Sequence, residues 1–110
     1  MEPAKIKILF VGLLVLAVLI EVSADILFKK WSLEGRNILF ILGMVVYALG
    51  TCFWALSLKF DYLSKAVSIF TVLNLIGVIL VGVIMFNEKL TLVNKIGIGL
   101  GIISVILLEL

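Results

Sequence analysis

The sequence predicts an all-α integral membrane protein of four transmembrane helices, and three observations carry the prediction. Hydrophobic residues fill 65% of the 110 positions and the mean hydropathy is +1.40, where an ordinary soluble domain is about 45–50% apolar. Charged residues make up 15%, against about 25% in soluble domains, so a soluble fold would leave most of this apolar surface in water. The apolar residues also fall into four runs divided by short charged stretches. At about 20 residues per crossing the length holds four spans and no more.

The chain reads as a single domain, residues 1–110, with helices at about 6–28, 38–58, 66–86 and 93–110. In the first run the polar positions beyond Lys7 are Glu21, Ser23 and Asp25. Lys29 to Asn37, holding Lys29, Lys30, Glu34 and Arg36, reads as a loop. The second run contains Gly43, Tyr47, Gly50, Thr51 and Cys52 and ends at Lys59-Phe60-Asp61. The third carries Ser68, Thr71 and Asn74 on an aliphatic background and closes at Asn87-Glu88-Lys89. The fourth, the shortest at about 18 residues, includes Gly97, Gly99, Gly101 and Ser104; each run is long enough to cross. Connections this short force neighbouring helices antiparallel and put both termini on one side. The start also has the outline of a signal peptide, with Lys5 and Lys7 before an apolar Ile8–Ile20 core and Val22-Ser23-Ala24 after it. The acidic residue beside that core favours a retained helix.

The inventory excludes several classes. With no histidine and one cysteine, Cys52, there is no disulfide framework and no zinc or iron site. A net charge of +2 without a basic tract gives no reason to expect nucleic acid. No nucleophile elbow, phosphate loop or dinucleotide fingerprint is present, so neither an enzyme nor a cofactor is expected.

Glu21 is the sharpest feature. With the first helix centred near residue 17, a rise of about 1.5 Å per residue puts Glu21 about 6 Å from the bilayer midplane. An acidic group there costs about 2.5–3.5 kcal/mol on insertion scales, so it should face a protein interior or an aqueous cavity. In such surroundings a bare carboxylate is disfavoured and a proton or a bound cation must accompany it, each excluding the other. That competition is the minimum chemistry of a proton-coupled cation exporter; the other reading makes Glu21 a packing residue that holds helices together. Asp25 lies four residues on, on the same helical face, flanked by the small Ala17 and Ala24, which leave room for a ligand. It sits about 12 Å from the midplane, where Lys29 or Lys30 can neutralise it.

Ser64, Ser68 and Thr71 form a polar stripe on the third helix, although hydroxyls there can simply bond their own backbone. Asn74, about one turn deeper, needs partners in hydrocarbon, either across to another helix or in a cavity. Tyr47 can donate to a carboxylate across the bundle or to a backbone carbonyl. Gly97, Gly101 and Ser104 form a small-residue strip suited to close helix approach and expected to serve dimerisation.

With both termini on one side, that side holds Lys5, Lys7, Lys59 and Lys65, and the other holds Lys29, Lys30, Arg36, Lys89 and Lys95. Four against five gives almost no preferred orientation under the positive-inside rule. The balance either arises by accident or marks a chain inserted both ways. Dual topology would allow an antiparallel homodimer with paired Glu21 carboxylates in one cavity, opened to each side in turn as inverted repeats do.

Glu21-Val22 in the first helix, Leu27-Phe28-Lys29-Lys30-Trp31-Ser32 closing it, Phe53-Trp54 in the second, and Phe86-Asn87-Glu88-Lys89-Leu90 before a glycine-rich fourth resemble the small multidrug resistance transporters. These are the four-helix members of the drug/metabolite transporter superfamily, and the resemblance spans the whole chain. It implies an antiparallel homodimer of the cell (inner) membrane that exports small organic cations of the quaternary ammonium, guanidinium or polyamine class against protons. Its essential glutamate falls on Glu21, and its second-helix tyrosine corresponds to Tyr47. Candidate cavity-lining residues are Ala17, Ala24, Asp25, Tyr47, Ser68, Phe70, Thr71 and Asn74. The third helix departs from the family pattern. The substrate-facing tyrosine and tryptophan fall on Val67 and Phe70, the Gly-x-Gly falls on Val72 and Asn74, and the usual preceding proline is missing from Tyr62-Leu63-Ser64-Lys65. Loss of that aromatic box counts against large aromatic cations, which need electron-rich faces, and against the guanidinium-exporting subtype. A lipid-carrier flippase or heteromeric subunit of the superfamily, and a non-transporting assembly protein, are the competing readings.

Overall fold

Helix α1 (Pro3–Glu34) opens on a proline in its first turn, where the missing N–H is no loss and the ring pre-sets a helical φ. It ends at Gly35, whose φ of +71° places it in the left-handed region and whose N–H donates to the Trp31 carbonyl at 2.7 Å. Glycine reaches that conformation without the steric penalty of a Cβ. The computed structural model describes residues 2–110, and among them follow α2 (Asn37–Ser57), α3 (Leu63–Met85) and α4 (Leu92–Glu109).

The expected loop at Lys29–Asn37 is therefore corrected to a two-residue connection, Gly35–Arg36. The charged end of the first run stays helical because leaving hydrocarbon does not end a helix, and lysine, leucine and glutamate are good helix formers in water. At 32 residues α1 is about 48 Å long, longer than a hydrocarbon core of about 30 Å. Between α2 and α3, Leu58, Lys59 and Phe60 donate to Ala55, Leu56 and Ser57 in a tightened turn. Asp61 then accepts the Tyr62 N–H at 2.7 Å and pairs with Lys65 at 3.3 Å. Before α4, Phe86 and Glu88 both donate to the Gly82 carbonyl, and Asn87 takes a φ of +54°. Thr91 caps α4 by accepting the Asn94 N–H at 3.2 Å.

Three helices, α1, α2 and α3, are long and apolar enough to cross a membrane, while the apolar stretch of α4, Leu92–Leu108, is shorter. The expected fourth crossing thus rests on 18 residues, about 27 Å of helix.

The packing follows residue size. α1 is the central helix, against both α2 and α3, and α4 packs on α3. Glycines mark the closest approaches, as small residues do between membrane helices: Gly43 of α2 lies under the Phe28 ring, Gly50 against Ile20 and Glu21, and Gly77 of α3 against Val22. One end of the bundle is closed by Phe10, Leu14, Ala66 and Ile69, with Trp54, Leu58 and Phe70 packed around them. The other end of the α1–α2 pair is held by Phe40, whose ring centroid lies 5.8 Å from Phe28 and 5.0 Å from Trp31. Most of the remaining large apolar side chains face outward, as a surface in contact with lipid or another chain would.

Candidate functional site

Glu21 is 7% exposed, held by Gly50, which has no Cβ to push it away, and by the α1–α2 contact at Ala17 and Ile20. It lines a cavity of about 280 Å³ with Tyr47, Thr51 and Trp54 of α2 and Val67, Phe70 and Thr71 of α3. Trp54 and Phe70 form one wall, their ring centroids 4.9 Å apart and their planes tilted by 54°. The Thr51 hydroxyl donates to the Tyr47 carbonyl at 3.0 Å. Tyr47 itself is 45% exposed, so the cavity opens on the outer face of the chain. Among the described residues, no ion pair involves Glu21 and no hydrogen bond reaches its carboxylate.

This arrangement brings together Glu21, Tyr47, Phe70 and Thr71, and it distributes the other candidates elsewhere. Ala17 and Ala24 are wholly buried and are absent from the lining; Ala17 lies at the α1–α2 crossing, so its small size serves close packing. Asp25 lines a separate cavity of about 110 Å³ with Lys29 of α1 and with Gly82, Phe86 and Glu88 at the end of α3. Lys29 shares that cavity without coming within salt-bridge distance of Asp25. Ser68 turns to the groove between α3 and α4, of about 640 Å³, where it faces Ser104 and donates its hydroxyl to the Ser64 carbonyl at 2.8 Å. Asn74 does not line the Glu21 cavity, and its Oδ1 is buried without a hydrogen-bond partner.

The glycine strip of α4 also has a neighbour within the chain. A Cβ on Gly101 would sit 3.3 Å from Val72 Cγ1, and Gly97 lines a groove with Leu75 and Ile79. Only Gly101 of the strip is in close contact with α3 of its own chain; Gly97, where an added Cβ meets nothing within 4 Å, and Ser104 stay exposed beside the aliphatic Ile96, Leu100, Ile103 and Leu107.

Thr51, Trp54 and Val67 belong to the lining but were not among the expected site residues. The signal for the first two was legible: Tyr47, Thr51 and Trp54 stand at i, i+4 and i+7, the spacing of one helix face. Val67 carries no chemical signal of its own; the resemblance points to it, since the family's substrate-facing tyrosine falls there, one turn before Phe70 and Thr71.

A carboxyl group shut away in a membrane bundle beside a cavity, with no cationic side chain to balance it, can hold either a proton or a cation from outside. No curated protein and no solved structure matches the chain. A family profile described as Small Multidrug Resistance protein matches residues 9–103, and the chain belongs to that family, whose members are multi-pass membrane transporters.

Proposed function

From that membership we propose that the chain is a proton-coupled antiporter that exports small organic cations, with proton and substrate competing for Glu21. The observation that carries the reading is the unpaired Glu21 carboxyl at the 280 Å³ cavity. A cation bound there supplies the counter-charge the chain itself does not, and protonation releases it, so binding is exclusive by electrostatics alone. Exchange follows if the cavity opens to the two sides of the membrane in turn.

The working unit in this reading is an antiparallel homodimer of dual topology in the cell (inner) membrane. The Glu21 cavity falls just below the roughly 300–1,000 Å³ of ligand pockets and opens at the exposed Tyr47 and Thr51. A charged ligand facing lipid at that opening would be unsupported. A second copy laid against the same face closes the chamber and brings its own Glu21. The substrates are small cations of the ammonium, guanidinium or polyamine class.

Reconstitution in liposomes tests the reading. An imposed pH gradient should drive uptake of a labelled small cation by the intact chain, and Glu21→Gln should abolish it. Flux that persists unchanged in Glu21→Gln would remove the mechanism.

A further inference from the structure

Asn74 combines a buried acceptor with a position one turn along α3 from two residues that line the Glu21 cavity. Its Oδ1 is closed off from solvent and receives no hydrogen bond among the described residues. An unsatisfied buried carbonyl is an uncommon feature and an unfavourable one. The helix hydroxyls do not relieve it: Thr71, one turn away, makes no bond to it, and Thr51 and Ser68 donate to carbonyls of their own helices. Phe70 and Thr71, one turn before Asn74 on α3, line the cavity. Gly77, one turn after it, faces Val18 and Val22 of α1. Residues three and four apart share a helix face, so Asn74 lies on the α1-facing strip of α3, next in line from the cavity wall.

We propose that Asn74 is a specificity-determining residue that, by turning its amide from its closed-off position toward the adjoining cavity, accepts an N–H from the transported cation while Glu21 supplies the counter-charge, so that the preferred substrates are protonated amines and not quaternary ammonium ions. The inference rests on the cation-export reading of the Glu21 cavity. A protonated primary amine carries three N–H donors and can satisfy the Glu21 carboxylate and the Asn74 carbonyl together. A quaternary ammonium has the same charge and no donor, and binding it leaves Oδ1 as unpaired as before. Sites built around a buried acceptor discriminate strongly against analogues that lack the matching donor, because the penalty falls on the protein's own group.

The test uses two cations of equal charge and nearly equal shape, tert-butylammonium and tetramethylammonium, titrated calorimetrically into the purified full chain in detergent at one pH. The intact chain should prefer tert-butylammonium by about tenfold or more. The nearly isosteric Asn74→Leu should erase that preference while holding tetramethylammonium affinity to within about twofold, and Asn74→Ser, which keeps an acceptor, should restore part of it. A preference unchanged in Asn74→Leu overturns the proposal, as does an equal loss for both cations, which would assign Asn74 to packing or assembly. Equal binding of both by the intact chain overturns it and leaves cation export standing. Binding of neither overturns the export reading and the specificity proposal together. Should Asn74→Leu fail to fold, Asn74→Ala and Asn74→Ser carry the same comparison.

Discussion

Substitution of Gly50 by alanine probes how the carboxyl of Glu21 is held. A Cβ on Gly50 would lie 2.7 Å from Glu21 Cγ, 3.2 Å from Ile20 Cγ2 and 3.4 Å from the Ala17 carbonyl oxygen. The last is an ordinary contact, and the isoleucine methyl needs to give only slightly. The first is not tolerable, because carbon atoms settle about 3.5–4.0 Å apart, so Glu21 Cγ or the α2 backbone must withdraw by about 0.8 Å or more. Cγ is bonded to the carboxyl carbon, and the displacement therefore passes to the charged group. Alanine gains up to about 1 kcal/mol of helix propensity over glycine while overpacking costs about 1–3 kcal/mol, for a net stability loss of about 0–2 kcal/mol. Cation affinity should fall further, by about tenfold or more, since displacing a positioning group by about 1 Å can cost up to about a hundredfold. The control is Gly99→Ala, where an added Cβ meets nothing within 4 Å. Both variants would be melted and titrated with a small cation in the same detergent. Wild-type affinity in a folded Gly50→Ala would falsify the argument that this contact places the carboxyl.

Three further outcomes are expected. Cation affinity should be flat at high pH, where Glu21 is ionised, and on acidification through its titration should fall about tenfold per pH unit as the proton takes the site; Glu21→Gln should flatten this dependence, and a pH-independent wild type would remove proton competition. Gly43→Ala should force the Phe28 ring, 2.7 Å from the new Cβ, out of its contact with Phe40. That should lower thermal stability by about 1–3 kcal/mol while leaving cation affinity intact, and an affinity loss matching that of Gly50→Ala would contradict the separation of the two ends of α1. A tag at the C-terminus should be labelled from both membrane faces in a dual-topology population, whereas labelling from one face alone would refute dual insertion.

The helices were legible because hydropathy reports which residues avoid water. Their ends were less so, for the same reason: hydropathy locates the edge of the bilayer, while α1 continues through Lys29 and Glu34 until Gly35 turns it off. The burial of Glu21 followed from the energetic penalty of an intramembrane acid. The separation of Asp25 from it did not, because residues four apart are still rotated by about 40°, and here the rotation carries the second acid to the α3 side, with Glu88. The glycine strip of α4 shows a further limit. Spacing identifies a surface made for close approach, and whether Val72 of the same chain or another copy occupies it depends on tertiary geometry.

The hydroxyl of Thr51 bears on the sign of charge the chamber can accept. Its one proton is committed to the Tyr47 carbonyl, so toward the cavity it presents only lone pairs. No lysine or arginine stands among the lining residues to offset the carboxylate. An anion arriving beside Thr51 would meet the carboxylate's charge and an oxygen with no proton left to offer. By turning this donor back onto its own backbone, helix geometry adds a lone-pair face to the carboxylate's charge, and the chamber selects for sign before any substrate shape is read.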